Sequence, residues 1–250
     1  MKLNFKNRGN VFLGSLMAGA LLGASTVPAS AALVHLYEFN SNLNDSIGSL
    51  SLTSNGGTLN ATSLSFDVNE GPSLDTSSAI TSVYSVGLRF SFDDVSGYRK
   101  IVDFKNKTSD NGQYNLSSKL NFYPVLGGPD SFTAGDTVDV VFTRDGSGTY
   151  TAYLNGVSQY SFDDSGSVDA VATGGLFHFF QDDAATSFSE ASAGVVHEIR
   201  IWDSALTAGQ VPDAFAPVPE PSTYVAGVML LLPFGVQLLK RFRPRAKLQI

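Results

Sequence analysis

Between residues 33 and 202 the apolar positions alternate with polar ones in short runs, and turn residues recur roughly every 8–12 positions, the pattern of a sandwich or barrel. Thr137–Arg144 reads as a strand, Asp145–Gly148 as a turn, and Thr149–Leu154 as a second strand rich in aromatic and β-branched residues. Asn155-Gly156 follows, a strong hairpin signal because both central positions of a type I′ turn need φ > 0, and Val157–Phe162 returns as a third strand. Further strands are predicted at Leu33–Phe39, Leu64–Val68, Tyr84–Phe92, Arg99–Lys105, Lys119–Phe122, Leu176–Phe180 and Val195–Trp202. In the last of these, strict alternation puts Val195, His197, Ile199 and Ile201 on one face and Val196, Glu198, Arg200 and Trp202 on the other. No sustained 3.6-residue period occurs in this region; a short helical turn is expected only at Ser204–Gln210, with Ser204 as N-cap.

The two ends follow a different pattern. Lys2, Lys6 and Arg8 precede the apolar run Val11–Ala24; Pro28 breaks it, and Ala29-Ser30-Ala31 supplies the small residues of a cleavage site, so residues 1–31 read as a secretory signal peptide. At the other end, residues 214–223 form a Pro-rich linker whose prolines hold it extended. Residues 224–239 are apolar apart from Gln237 and reach about 24 Å as a helix, under the ~30 Å of a bilayer core. Snorkelling of Lys240 and local thinning can close that gap, so the segment is expected to be a single transmembrane helix. Residues 240–250 hold five cations and no acid, and such a cluster stays cytoplasmic. The expected intermediate is anchored in the inner membrane with its body outside the cytoplasm.

Charge sharpens the division. The whole chain of 250 residues carries a formal net charge of −7, but residues 32–218 hold 22 acids against 8 bases. Such a body is repelled by phosphate backbones, so nucleic acid is not an expected partner. Absence of cysteine removes disulfides, thiolate metal sites and cysteine nucleophiles. A mature body of this size buries roughly 70% of its unfolded surface, enough to fold without such staples.

Val218-Pro219-Glu220-Pro221-Ser222-Thr223, the single apolar helix and the basic end with Arg241, Arg243 and Arg245 occur in that order at the C-terminus. This tripartite tail resembles the PEP-CTERM sorting signal. The resemblance implies recognition and cleavage near Pro-Glu-Pro by an exosortase, a membrane-embedded protease, in a Gram-negative bacterium that makes exopolysaccharide. Signal peptidase and exosortase would be partners during export, and the cell surface or extracellular space the destination.

A second resemblance covers residues 32–213. Tyr150-Thr-Ala-Tyr-Leu-Asn-Gly156 is similar to a hairpin of laminin-G-like domains, and His197–Leu206 is similar to their closing strand and turn. Tyr37–Asp45 resembles their first strand and its Asn/Asp loop. The implied fold is an all-β antiparallel jelly-roll sandwich of the concanavalin A-like kind. The stretch Asp93–Gly128 matches only loosely.

Catalytic signatures are missing. There is no G-x-S-x-G elbow, no phosphate loop, and no strand of the E-x-D-x-x-E kind that places two carboxylates on one face in related glucanases. The pairs Asp93-Asp94, Asp163-Asp164 and Asp182-Asp183 read as loop acids. His35, His178 and His197 are too far apart for a local metal motif, and Trp202 reads as a core aromatic. Hard oxygen donors suited to calcium are Asn42, Asn44 and Asp45 in the first loop, with Asp163, Asp164, Asp182 and Asp183 later, although no D-x-D-x-D-G loop is present. Tyr98, Tyr114 and Tyr123, in a middle region read as irregular, are candidates for stacking on sugar. The sequence therefore reads as an exported, non-enzymatic module that binds glycan or protein in a polysaccharide matrix. The alternatives are a divergent glycoside hydrolase with carboxylates from different strands, and a purely structural matrix component.

Overall fold

The computed structural model describes residues 31–218. The signal peptide up to Ser30 with Ala29, the Pro219-Glu220-Pro221 motif, the apolar segment 224–239 and the cations Arg241, Arg243 and Arg245 lie outside the described residues. Among the described residues, no helix is long and apolar enough to cross a membrane.

Fifteen strands are described: β1 Leu33–Tyr37, β2 Thr53–Ser54, β3 Thr58–Leu59, β4 Leu64–Phe66, β5 Pro72–Asp75, β6 Tyr84–Phe92, β7 Tyr98–Asp103, β8 Gly112–Leu116, β9 Lys119–Tyr123, β10 Leu126–Ser131, β11 Val138–Arg144, β12 Thr149–Leu154, β13 Val157–Asp163, β14 Leu176–Phe179 and β15 Gly194–Trp202. They form two antiparallel sheets. The eight-stranded sheet runs β13-β12-β11-β6-β15-β4-β3, with β1 also on the edge of β15; the seven-stranded sheet runs β10-β9-β8-β7-β14-β5-β2. The far edge of β15 is divided, β4 taking residues 194–196 and β1 residues 199–202.

Alternation fills the space between the sheets. Val86, Leu88, Phe90 and Phe92 of β6 meet Phe122 of β9 and Phe177 and Phe179 of β14 in one core. Aromatic rings interlock there: Phe66 stacks on Phe180 at 4.5 Å, and Phe122 meets Tyr150 edge-on at 4.9 Å. Each such ring contributes about 1.5–3 kcal/mol by leaving water. Tyrosine hydroxyls admitted to this core are paired, Tyr150 and Tyr160 both donating to Gln113 Oε1 at 2.8 Å. Asn155-Gly156 makes the two-residue turn between β12 and β13, both residues at positive φ.

The differences from the sequence reading have local causes. The register of β15 shifts between Val196 and Glu198, so Val196, Ile199 and Ile201 face the core together, which strict alternation forbids. Residues 204–207 are irregular and 208–210 a turn rather than a helix; a 3₁₀ turn at Val211–Asp213 follows. Three strands of four or more residues carry too few β-branched residues to be read in advance: β5 holds a Pro and an Asp, β8 a Gly, Gln and Asn, and β10 two Gly and a Pro. The middle region is therefore regular, and Tyr98, Tyr114 and Tyr123 stand on adjacent strands.

Candidate functional site

On the outside of the seven-stranded sheet the register aligns Lys100 of β7, Tyr114 of β8 and Asn121 of β9 in one row, with Gly112 opposite Tyr123 beside it. A shift in β7 between Lys100 and Val102 sends Ile101 and Val102 both into the core. Lys100 and Asp103, three apart, thereby come within 3.8 Å of one another. After β14 the chain continues along the edge of β7, where Phe180 N donates to Ile101 O at 3.0 Å and Lys100 N to Glu190 O at 2.7 Å. That path carries Asp182, Asp183 and Glu190 over the row.

The result is a charged centre shut away from water. Lys100, Asp103, Asp182 and Asp183 are all fully buried. The Lys100 ammonium lies 2.6 Å from Asp183 Oδ2, 3.8 Å from Asp103 Oδ2 and 4.0 Å from Asp182 Oδ1. It also donates to Asp110 O at 3.3 Å and sits 4.2 Å over the Tyr114 ring. The Tyr114 hydroxyl donates to Asp110 Oδ1 at 2.6 Å. Asp182 Oδ2 accepts from the Thr186 hydroxyl at 2.7 Å and from Glu190 N at 2.8 Å. Asp110, Asp182 and Glu190 each bring one carboxylate oxygen within 4.8 Å of the others.

The ammonium thus faces the carboxylates of Asp103, Asp182 and Asp183, and those of Asp110 and Glu190 stand beside Asp182. Burial, then the charges of Asp110 and Asp182, hold the Glu190 carboxyl above the usual carboxylate range. Burial raises Asp103 as well, and its Oδ2 has no hydrogen-bond partner. Buried charge left uncompensated costs several kcal/mol per ion, so this face was not built for stability alone. Beside it, the half-buried ring of Tyr98 meets Tyr114 edge-on at 5.5 Å and Tyr123 edge-on at 5.8 Å. Burial and the nearby Glu190 charge raise the Tyr98 hydroxyl.

The three tyrosines singled out in the sequence are therefore one cluster, although Tyr114 itself is buried. The seven oxygen-donor candidates are distributed over three places. Asn42 Oδ1 accepts from Asn44 N at 2.8 Å, and Asp45 accepts from Leu36 N and Ile47 N and pairs with His35 at 2.7 Å, which ties the first loop to itself. Asp163 Oδ1 accepts from Ser165 N at 2.8 Å. Asp164 is buried, pairs with Arg144 at 2.8 Å and accepts from Val168, Asp169 and Ala170 N–H groups. Asp182 and Asp183 lie in the irregular stretch after β14, as loop acids, but are fully buried in the charged centre rather than exposed. Asp110, Glu190, Lys100 and Asp103 were missed; the Asp110-Asn111-Gly112 turn between β7 and β8 was the one local signal for them. A separate cleft of about 230 Å³ lies by β4 and β15, with Asp67, Glu70 and Asp93 in its walls. Glu70 is spent there on the backbone N–H of Gly57 at 2.9 Å.

Among the other residues named in advance, Trp202 is buried in a second apolar cluster on the outside of the eight-stranded sheet, with Val141, Tyr153, Leu206, Val211 and Ala214. Ala31 packs against that cluster, and Val218 is exposed.

Comparison with known proteins follows the same outline. Domain 4 of an extracellular GH43 arabinanase from Geobacillus stearothermophilus, solved with arabinotriose, is similar over 74% of this chain and 98% of its own, at 21% identity and a TM-score of 0.56. A Trypanosoma rangeli sialidase solved with the inhibitor DANA is similar over 74% of this chain at 12% identity and a TM-score of 0.57; the chain spans 32% of the sialidase. The receptor-binding domain of botulinum neurotoxin type G is similar over 74% of this chain and 50% of its own, at 13% identity and a TM-score of 0.51. At such identities these likenesses show the fold. No curated protein matches the chain. The laminin-G family model described as the concanavalin A-like lectin/glucanases superfamily matches residues 75–212, and the chain belongs to that family.

Proposed function

We propose that this domain is a polysaccharide-binding module whose ligand lies on the outside of the seven-stranded sheet, across Tyr98 and Tyr123 and against Asp110, Asp182 and Glu190. The observation that carries this reading is the juxtaposition of half-buried tyrosine rings with three carboxylates that converge within 4.8 Å. A sugar offers C–H faces to aromatic rings and hydroxyl donors to carboxylates, so the two halves of the site suit the two halves of its chemistry. Asn121, on the same row as Tyr114, adds a buried and unpartnered Oδ1. The oligosaccharide complex of the similar arabinanase domain supports the class of ligand.

The donor set fits calcium, a hard cation that takes oxygen ligands, and the fully buried, unpartnered Asp103 Oδ2 marks a local excess of negative charge. Asp110, Asp182 and Glu190 would hold the ion, which would supply positive charge to the site and bind sugar hydroxyls. Tyr114 orients Asp110 through its hydroxyl, and Thr186 with the Glu190 N–H orients Asp182. The test is calorimetric titration with a panel of arabinans, β-glucans and the host's own exopolysaccharide. Y98A/Y123A is expected to weaken binding at least tenfold, and no binding across the panel by the unaltered protein overturns the reading.

A second reading, a glycoside hydrolase, is favoured by the raised Glu190 carboxyl standing beside Asp110, the pairing of acid and carboxylate that such chemistry needs. Reducing-sugar release from the same panel, abolished by E190Q, decides for it; binding without release decides for the module.

Delivery by the exosortase route is part of the proposal. It rests on the order Pro-Glu-Pro, apolar segment and basic end at the C-terminus. Replacing Pro219-Glu220-Pro221 by Ala-Ala-Ala is expected to leave the protein uncleaved in the inner membrane. Mass spectrometry of the mature protein reads both cleavage points, and release of an unchanged mature product by the variant rejects the route.

A further inference from the structure

Lys100 and Asp183 bring a primary amine and a carboxyl group together away from water. Both are fully buried, and the lysine Nζ stands 2.6 Å from Asp183 Oδ2. Each is held from more than one side. A Cβ at position 112 would stand 3.3 Å from the lysine Cδ and 3.4 Å from Nζ, so Gly112 leaves a slot that the lysine fills. The Tyr114 ring, 4.2 Å away, and Asp110 O, 3.3 Å away, border the ammonium. Asp183 is fixed through its backbone, where Phe188 N donates to its carbonyl at 2.9 Å, and through its side chain, where Ala185 N donates to Oδ1 at 2.8 Å. The carboxyl therefore turns Oδ2 to the amine and keeps Oδ1 on a backbone donor.

In water an ammonium and a carboxylate do not condense, because hydration of the two ions outweighs the amide. Burial strips that hydration from both. Fixed contact raises the effective concentration of one group at the other to about 10⁵–10⁸ M. We infer that Lys100 and Asp183 condense in the folded protein to an isopeptide bond from Lys100 Nζ to Asp183 Cγ. One ammonium proton crosses the 2.6 Å contact to Oδ2. The freed lone pair adds to Cγ, and the negative charge that develops on Oδ1 meets the Ala185 N–H. The Cγ–Oδ2 bond then breaks, and Oδ2 leaves as water with the proton it received and a second one from nitrogen. Atoms and charge balance within the pair, with no co-reactant. The one hydrogen left on nitrogen has an acceptor close by in Asp103 Oδ2, buried 3.8 Å away with no hydrogen-bond partner. In a chain without cysteine this bond does what a disulfide would, tying the return segment after β14 to β7. It needs neither the glycan nor the ion proposed above.

Mass spectrometry of the full chain, purified folded and then denatured, tests this. The unaltered protein should be one water lighter than the sequence of the same product requires. Trypsin should fail to cut after Lys100, and the digest should contain a branched peptide joining Lys100 to Asp183. K100R, which keeps the charge, and D183A should both show the full sequence mass. K100R should also melt about 10 °C lower, having lost a cross-link between residues 83 positions apart. The full sequence mass for the unaltered folded protein overturns the inference. So does a missing water with no branched peptide, as cyclisation at Asp145-Gly146 would give, or a branch from Lys100 to Asp103 or Asp182. If neither variant folds, the mass and digest of the unaltered protein still decide.

Discussion

The two sheets present opposite solutions to the same problem, an outer face that has to be finished. On the eight-stranded sheet the outside is closed with apolar material. Val141, Tyr153 and Trp202 project from β11, β12 and β15, and the segment carrying Leu206, Val211 and Ala214 lies over them. Gly87 makes the cover possible, since a Cβ there would stand 3.1–3.2 Å from the rings of Trp202 and Phe215. Arg200 ties the cover down by donating to the carbonyls of Ala214 and Ala216, each at 2.9 Å. On the seven-stranded sheet the outside is closed with charge, one lysine among five acids, and two tyrosine rings are left partly open beside it. An apolar lid gains stability from every methylene it covers, whereas a charged lid spends stability to hold groups in place. Function is therefore expected on the second face.

The strongest way to separate the faces is W202A. Deleting a buried indole is expected to cost about 3–5 kcal/mol, read as a lower denaturation midpoint, while glycan binding per folded molecule stays unchanged. Loss of binding in the folded fraction would mean that the two outer faces are coupled.

Acid should find the charged side next. Burial, with the Lys107 charge beside it, lowers His178 to about 4. A histidine depressed in the folded state favours folding while both states are neutral, and that contribution is lost as pH falls from ~6.5 through about 4. Stability should drop by on the order of 2 kcal/mol across that window, and H178Q should flatten the drop. An unaltered slope in H178Q assigns the loss to other groups.

D103N probes the excess of charge directly. Asp103 Oδ1 accepts from Lys105 N and Lys107 N, which an amide oxygen can continue to do, while the unpartnered Oδ2 becomes a neutral NH₂. In EDTA the variant should be as stable as the parent or up to about 1 kcal/mol more so, by thermal melting. Marked destabilisation would show that the Lys100 ammonium needs all three acids. The smallest effect belongs to the rim of the apolar face. Arg89 and Asp139 form a two-pronged pair at 2.7 and 2.8 Å but both are about one-third exposed, so D139N should cost roughly 0.5 kcal/mol and lose even that in high salt.

Much of the architecture was legible along the chain. The β11–β12–β13 meander could be read from alternation and Asn155-Gly156, because both signals are local: side-chain period and a turn that demands positive φ. Strands without that vocabulary were not legible. β8 buries Gln113 and Asn115, polar residues whose place is fixed by partners on distant strands, as when Gln113 receives the hydroxyls of Tyr150 and Tyr160. Tyr98, Tyr114 and Tyr123 could be named as ring-bearing candidates, but not that three neighbouring strands would stack them edge to face.

Composition and periodicity were enough for a cysteine-free, acidic, all-β body, a sandwich or a barrel, since those depend on what each short stretch prefers and on what it can bury; its two antiparallel layers were what the resemblance to laminin-G-like domains implied. The charged centre depends on something else. A one-residue shift in β7 turns Lys100 and Asp103 to the same side, a long return after β14 lays Asp182, Asp183 and Glu190 over them, and a hairpin brings Asp110 from the other direction. Asp103 and Asp182, 79 positions apart in the chain, share one ammonium because the sheet sets them there, and no local preference records that.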